Sequence, residues 1–342
     1  MKKIRVVVLM GGKSPEHEIS VISGQQVVRE LNKKKYEVLP VVISKTGLIW
    51  ELTSPETILS LTNLISYKGT GEEIELVSKK EISGVGSLGK KADVVFIAMH
   101  GPFGEDGTIQ GMMELAGIPY TGSGVTASAI GMDKIIFRKI MKAEGLLVPR
   151  FVVLYKEEKD IFGQVEKLGK PPYFVKPHNQ GSSVGASIAR NRKELAKAVK
   201  LSFKYSDKVL VDEYIKGVEL TCGVIGNEKP ISLPVCEIVP KNEFFDYESK
   251  YKESGAQEII PARISKTLET ETRKLADKVY KAVGARGFAR VDFILRGKKL
   301  YILEINTIPG LTPMSLLPKE AKAAGISYSN LLNKIIKYAL EK

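Results

Sequence analysis

Apolar runs alternate with helically spaced segments through the first third of the chain. KIRVVVLM reads as a strand buried on both faces, and VISGQQVVREL, residues 21–31, carries apolar positions at helical spacing. EVLPVVIS and ADVVFIAMH follow as further strands, and GTIQGMMELAGI as a helix. Strands that lack a polar face and alternate with helices predict a parallel sheet covered on both sides. Residues 51–90 break this rhythm and are expected to hold an insertion or long loops.

A second unit opens where Gly122 and Gly124 lead into a helical stretch. It continues with strand PRFVVLY, a helix around KEEKDIFGQVEKLG, strand PYFVKP, the turn QGSSVGASIA, a helix at 192–204 and the strand KVLVDEYI. The third unit starts near residue 216 with strands VELTCGVIG and ISLPVCEIV. An irregular polar stretch, a helix at 264–284, a hairpin at 286–306 and a closing helix SNLLNKIIKYAL complete it. The predicted division is 1–121, 122–215 and 216–342, with no internal repeat.

A length of 342 residues fits two or three domains, and 43% hydrophobic with 27% charged residues fits an ordinary globular core. The longest apolar runs, 6–10 and 94–99, are far shorter than the ~18 residues of a membrane span. Met1-Lys-Lys-Ile-Arg puts charge before apolar residues, but five apolar residues and a glycine pair do not make a signal peptide, so the cytoplasm is the expected location and no membrane partner is expected. The net charge of +13 comes from scattered basic pairs without interleaved aromatics, which argues against nucleic acid and is compatible with an anionic small molecule. Cys222 and Cys236 sit in apolar segments without metal spacing and read as buried, reduced thiols.

The turn Gly11-Gly12-Lys13-Ser14 resembles the end of a phosphate loop, but Val7 stands where that loop needs its first glycine. Gly84, Gly86 and Gly89 match a dinucleotide fingerprint by letter, yet a strand follows them instead of preceding them, so a nicotinamide site is not expected. The hairpin FARVDFILRGKKLYILEIN is more informative. Alternation puts Arg290 and Asp292 on one face of its first strand, and Glu304 and Asn306 on one face of its second. With a three-residue loop at 297–299, Asp292 lies opposite Glu304 and Arg290 opposite Asn306, whereas a one-residue slip puts a leucine opposite Asp292. Oxygen ligands without histidine or thiolate suit Mg²⁺ shared with phosphate oxygens; the bland alternative is a solvated hairpin face.

In YFVKPHNQGSSVG, Lys176 ends a buried strand, where a cation needs an anion, and the turn 181–185 offers backbone N–H groups and hydroxyls for phosphates. Lys134 is a second candidate cation, or a surface helix lysine. VLVDEYI reads as an edge-exposed strand able to present backbone groups to an adenine, with Glu219 near a ribose; alone it favours a structural role. His17, His100 and His178 all occupy glycine-rich loops after strands, none at zinc spacing, as if gathered round one cleft.

Together GGKSPEHEIS, HGPFGEDGTIQG, GMDK, VKPHNQGSSVG, DYESKY, ARVDF and LEINTIPGLTPMSLLPK, in this order, resemble the D-alanine–D-alanine ligase family of the ATP-grasp superfamily. The resemblance covers nearly the whole chain. It implies an α/β, three-domain ATP-grasp fold, with ATP held between the central and C-terminal domains. By position, Lys134 and Lys176 look like phosphate-contacting lysines, and Ser182 and Ser183 like the loop over the phosphates. Asp212, Glu213 and Ile215 would line the adenine and Glu219 the ribose; Asp292, Glu304 and Asn306 would bind Mg²⁺, two ions being expected and Mn²⁺ an alternative. Glu16 resembles the receiver of the first D-alanine's ammonium, with His100 nearby, and Glu16, Ser182 and Tyr251 the hydrogen-bonded set that closes the site. Arg290 and the N–H of Gly310 look like oxyanion stabilisers, Ser315 and Leu316 like the second-substrate pocket, and Lys250 with Tyr251 like part of a lid over 241–257.

The activity implied is ATP-dependent formation of D-alanyl-D-alanine through an acyl phosphate, in a homodimer. The Lys-Tyr pair of DYESKY is similar to dipeptide-forming members, with D-lactate or D-serine ligases as the alternative within the superfamily. A nucleotide-binding regulator without turnover is the alternative outside it.

Overall fold

The computed structural model describes residues 2–48, 50–60, 91–240, 256–312 and 314–341. Three sheets follow one another along the chain. In the first, β1 (Ile4–Gly11), β2 (Tyr36–Ile43) and β4 (Val94–Ile97) run parallel, and the short β3 (Trp50–Leu52) adds an antiparallel edge, in the order β3-β2-β1-β4. Strand β1 lies between two neighbours and under helices, so Val6 to Met10 are almost wholly buried and need no polar alternation. Helix α1 (His17–Glu30) buries Ser20, Val21, Ser23, Gly24, Val27 and Val28, a single helical face. Gly24 is the contact point: a Cβ there would sit 2.6–2.7 Å from atoms of Met10. Helices α2 (Pro55–Ser60) and α3 (Thr108–Leu115) complete this unit. The Gly84–Gly86–Gly89 loop lies outside the described residues.

The stretch that opens the second unit forms two helices, α4 (Val125–Met132) and α5 (Lys134–Ala143), separated at Asp133, whose carboxylate caps α5 by accepting from the N–H groups of Ile135 and Ile136. Their buried side chains, Ala127, Phe137 and Met141, join the core of the third sheet. The boundary drawn at 122 therefore separates these helices from the core they help to build.

The middle sheet is antiparallel, with β5 (Phe151–Tyr155), β8 (Lys208–Glu213), β6 (Tyr173–Pro177) and β7 (Ser187–Ala189) in that spatial order. Helices α6 (Ile161–Glu166) and α7 (Arg192–Ser202) close its core. Strand β8 lies between β5 and β6 and is not the exposed edge its sequence was read as. Its backbone is engaged by ladders on both sides, because hydrogen-bonding neighbours are a property of the sheet and not of the strand.

The third sheet has the path β12 (Ala256–Ile259), β11 (Cys236–Pro240), β9 (Val218–Gly226), β13 (Gly287–Arg296) and β14 (Lys299–Asn306), with β10 (Ile231–Ser232) also on β9. The run ISLPVCEIV divides into β10 and β11 around Pro234, which has no N–H for a ladder. Helix α8 (Lys266–Ala282) packs beneath. Arg296 pairs with Lys299, so the hairpin loop is two residues, 297–298, with Gly297 at φ +63°, and not three. Phe293 consequently pairs with Ile302, which would bring Leu303 opposite Asp292. A bulge at this point shifts the register by one, and Asp292 faces Glu304 while Arg290 faces Asn306. The expected pairings hold through the bulge, not through the loop length.

Helices α9 (Leu316–Ala323) and α10 (Tyr328–Leu340) end the chain. Leu331, Leu332, Ile335 and Ile336 of α10 share one buried cluster with β1, β2 and β4, so the last helix helps to cover the first sheet. Both cysteines are free and buried, and burial pushes their thiols above the ordinary range. No helix among the described residues is long and apolar enough to cross a membrane.

Candidate active site

The parallel first sheet delivers two glycine turns beyond its carboxyl ends. After β1, Gly11 and Gly12 take φ +81° and +101°, and a Cβ on Gly11 would meet the Ile43 carbonyl at 2.4 Å. The turn places Glu16, 5% exposed, at the start of α1, its N–H donating to Ser14 Oγ at 3.1 Å. Glycines flank its carboxylate: a Cβ on Gly101 would lie 2.7 Å, and one on Gly181 2.6 Å, from Glu16 Oε2. Ser182 Oγ donates to Glu16 Oε1, joining the first unit to the middle one. Ser182 and Ser183 both hold positive φ, +48° and +58°, a left-handed turn from which Ser182 lines the cleft of Glu16 and Ser183 the neighbouring pocket.

The three histidines do not play one part. His100 lines the cleft, but both ring nitrogens are engaged, Nδ1 with the Ile308 carbonyl at 3.1 Å and Nε2 with Ser23 Oγ at 2.8 Å. A carbonyl can only accept, so Nδ1 carries the proton; burial lowers the pKa of the ring, which leaves Nε2 to accept from Ser23. His100 is thus a neutral strut between α1 and the loop after β14. His17 holds its own turn through the Gly12 carbonyl at 2.9 Å, and His178 meets Ser206 Oγ at 2.5 Å. Neither lines the cleft of Glu16.

Lys134 is no surface lysine. As the first residue of α5 it is 7% exposed, donates from Nζ to the Gln180 carbonyl at 2.8 Å, and stands 3.3 Å from Glu304 Oε2. Lys176 Nζ lies 3.2 Å from Asp212 Oδ2, and burial lowers the lysine's pKa against the opposing pull of that carboxylate. Asp212 also receives the guanidinium of the fully buried Arg138. Glu213 is held by Arg150 through Nε at 3.0 Å and Nη2 at 2.9 Å. The carboxylates at 212 and 213 are therefore occupied by cations.

On the hairpin, Arg290 donates to both oxygens of Asp292 at 2.7 and 2.8 Å, and Thr221 Oγ1 adds a bond at 2.9 Å. Burial disfavours the Arg290 charge, but Asp292 more than offsets it and the guanidinium pKa is raised. Asn306 Oδ1 accepts from the Ile308 N–H at 3.0 Å. No group of three or more His, Cys, Asp or Glu converges on a metal position among the described residues. Two facing carboxylates and one amide remain, an oxygen donor set that fits Mg²⁺, an ion that keeps waters and takes phosphate oxygens.

The far end of this cleft is built by the loop before α9. Ser315 Oγ accepts from the Thr312 N–H at 3.0 Å and pairs with Thr312 Oγ1 at 2.8 Å, and a Cβ on Gly310 would strike it at 2.6 Å. Leu316 begins α9 and lines the same wall, as does Glu258, which is bonded to Lys319 Nζ at 2.5 Å.

Two adjoining pockets result. Glu16, His100, Ser182, Arg290, Asn306, Gly310, Ser315 and Leu316 line the polar one. The second, about 430 Å³, lies between the middle and third sheets and has the size of a small-molecule site. Phe174, Ile215, Leu220, Ile238, Phe293 and Ile294 form its apolar walls, with Lys176, Ser183, Asp212, Glu213, Glu219 and Asp292 around them. Lys134 and Glu304 line both pockets and mark their junction. Lys250 and Tyr251 lie outside the described residues. Sequence reasoning passed over Glu105, Arg138 and Glu258. Glu105 sits inside HGPFGEDG and accepts from the Gly101 N–H at 2.6 Å; burial, then the nearby charge of Glu16, pushes its pKa up to about 8. Arg138 stands four residues after Lys134, a spacing that puts both on one helix face.

Family models described as the D-ala D-ala ligase N-terminus and C-terminus match residues 5–123 and 140–337. The D-alanine–D-alanine ligase of Caldicellulosiruptor bescii is 41% identical over 356 residues, covering 100% of this chain and 96% of that protein. Among solved structures, the VanG D-Ala:D-Ser ligase of Enterococcus faecalis superposes with a TM-score of 0.85 at 32% identity, covering 99% of this chain and 100% of that one. The Bacillus anthracis D-alanine–D-alanine ligase complexed with ATP gives a TM-score of 0.76 at 33% identity, over 98% and 97%.

Proposed function

The chain belongs to the D-alanine–D-alanine ligase family, and from that premise we propose that it joins two D-alanines into D-alanyl-D-alanine at the expense of ATP. One observation carries the assignment of residues: an apolar pocket between two sheets opens, past Lys134 and Glu304, into a polar cleft that ends at Glu16 on one side and Ser315 on the other. The base of ATP would occupy the apolar pocket, near Ile215, with Glu219 beside the ribose. Because the side chains at 212 and 213 already hold cations and the backbone of β8 is paired on both sides, the chain just past β8, at Ile215, would address adenine through its backbone.

Lys134, Lys176 and the Ser182–Ser183 turn would hold the phosphates and stabilise charge as the γ-phosphoryl group passes to the carboxylate of the first D-alanine. Glu16 would fix that amino acid by its ammonium, and the Ser182–Glu16 bond would close the loop over the resulting acyl phosphate, excluding water. The uncharged amine of the second D-alanine then attacks the acyl carbon. A C–N bond forms, the oxyanion lies against Arg290 and the Gly310 N–H, the attacking nitrogen gives up one proton, and phosphate leaves as the C–O bond breaks. Ser315 and the N-terminus of α9 would take the second carboxylate. Mg²⁺, or Mn²⁺, as two ions held by Asp292, Glu304 and Asn306, would neutralise phosphate charge when bound.

A D-alanine–D-serine ligase is the second reading, favoured by the likeness to the VanG structure, and a D-lactate ligase is the third. Product analysis by mass, with D-alanine, D-serine and D-lactate competing as acceptors, separates them. We expect D-alanyl-D-alanine to dominate; a mixed dipeptide or an ester as main product overturns the acceptor assignment. We propose three units, 1–121, 122–215 and 216–342, with α4 and α5 of the second packed on the core of the third, in a homodimer located in the cytoplasm.

A further inference from the structure

Arg138 has no solvent exposure and is the bulkiest of the fully buried side chains among the described residues. From α5 its guanidinium reaches both nucleotide-binding sheets. Nε donates to the Leu303 carbonyl at 3.1 Å, Nη2 to Asp212 Oδ2 at 3.1 Å, and Nη1 to Asp212 Oδ1 and the Pro149 carbonyl at 3.4 Å. Leu303 is the bulged residue, next to Glu304, that sets Asp292 and Glu304 face to face. Asp212 is the partner of Lys176.

We propose that Arg138 is a positioning residue for the nucleotide site, clamping the bulge that presents Glu304 to the Asp212–Lys176 pair, so that carboxylate and phosphate-binding lysine keep one spacing across the cleft. The inference rests on the function proposed above. Charge balance alone does not require an arginine here, since Asp212 would keep Lys176 as its counter-ion. Geometry does. A planar fork of five donors can hold a carboxylate with one edge and a carbonyl with another, whereas an ammonium is a single point that cannot hold both in fixed directions.

The test uses Arg138→Lys and Arg138→Met in the full chain, with folding checked by circular dichroism. Both variants are expected to lose about 10- to 100-fold in kcat/KM for ATP and to need more Mg²⁺ for half-saturation, with the KM for the first D-alanine little changed. Wild-type ATP and Mg²⁺ parameters in Arg138→Lys would overturn the proposal, as would equal losses towards ATP and D-alanine, which mean general damage. A second measurement needs no variant and decides the matter if neither folds. Adding adenosine without Mg²⁺ to the unaltered chain, a probe of the apolar pocket that carries no phosphate or metal to meet Glu304 and Asn306, should slow amide hydrogen exchange together in 209–213 and 304–306; slowing in 209–213 alone breaks the proposed coupling. Absence of D-alanine-dependent turnover in the unaltered chain counts against the proposed function, and the exchange measurement still tests the clamp.

Discussion

Two carboxylates of the cleft rest against cations, Asp292 under Arg290 and Glu304 beside Lys134. This arrangement balances the two carboxylate charges before any nucleotide or the proposed Mg²⁺ binds. Glu304→Gln keeps the shape and removes the charge. We expect turnover to fall below detection while circular dichroism is unchanged; near-normal activity would remove Glu304 from the metal set. Glu105 gives a pH signature. Its folded pKa, raised by burial and then by Glu16 from 4.5 to about 8, means that the folded chain binds more protons than the unfolded one between those values. Its contribution to stability is therefore present at low pH and is lost as pH rises towards 8. Glu105→Gln should flatten this fall, measured as melting temperature against pH from 5 to 8; identical profiles would place the carboxyl in a less buried setting.

Among elements, helix α9 repairs a gap in the third sheet. Where β10 has ended and β11 has not begun, the Gly223 N–H donates to Glu320 Oε2 at 2.8 Å. Burial pushes this carboxyl up to about 8 against the pull of Arg290, and Oε1 has no hydrogen-bond partner among the described residues. Glu320→Gln retains an acceptor for Gly223 and cannot ionise, so its stability relative to the parent should improve from pH 5 to pH 8; a constant difference would contradict the assignment. The same sheet shows what was legible in the sequence. Alternation in FARVDFILRG and KLYILEIN put Arg290, Asp292, Glu304 and Asn306 on one face, because side-chain direction is local. The bulge at Leu303 was not legible, since only pairing across two strands defines it. The position of β8 inside its sheet and the packing of α4 and α5 on the third sheet were hidden for the same reason: neighbours are chosen by the whole fold. The glycine turns after β1, β4 and β6 were readable because each follows directly from its strand. Arg138 and Glu105 were missed because burial of a charged side chain cannot be read without its partners.

At the scale of the molecule, α10 ties the end of the chain to its beginning. Ile335 is fully buried in the cluster that includes β1 and β4. Ile335→Ala should cost about 2–5 kcal/mol, read from chemical denaturation, and should lower the stability of the first and third units in a single transition. Two separate transitions, with only one shifted, would mean that the shared core is not a cooperative link. This coupling matters because Glu16 and Gly310 face one cleft from different units. The proposed cleft transfers the γ-phosphoryl group of ATP to D-alanine and then exchanges it for a second D-alanine. Its most direct test is phosphate release from ATP and Mg²⁺ with D-alanine, set against L-alanine and no amino acid. D-alanine-dependent release is expected, with one phosphate for each D-alanyl-D-alanine formed. Release that is absent, or unaffected by D-alanine, would contradict it.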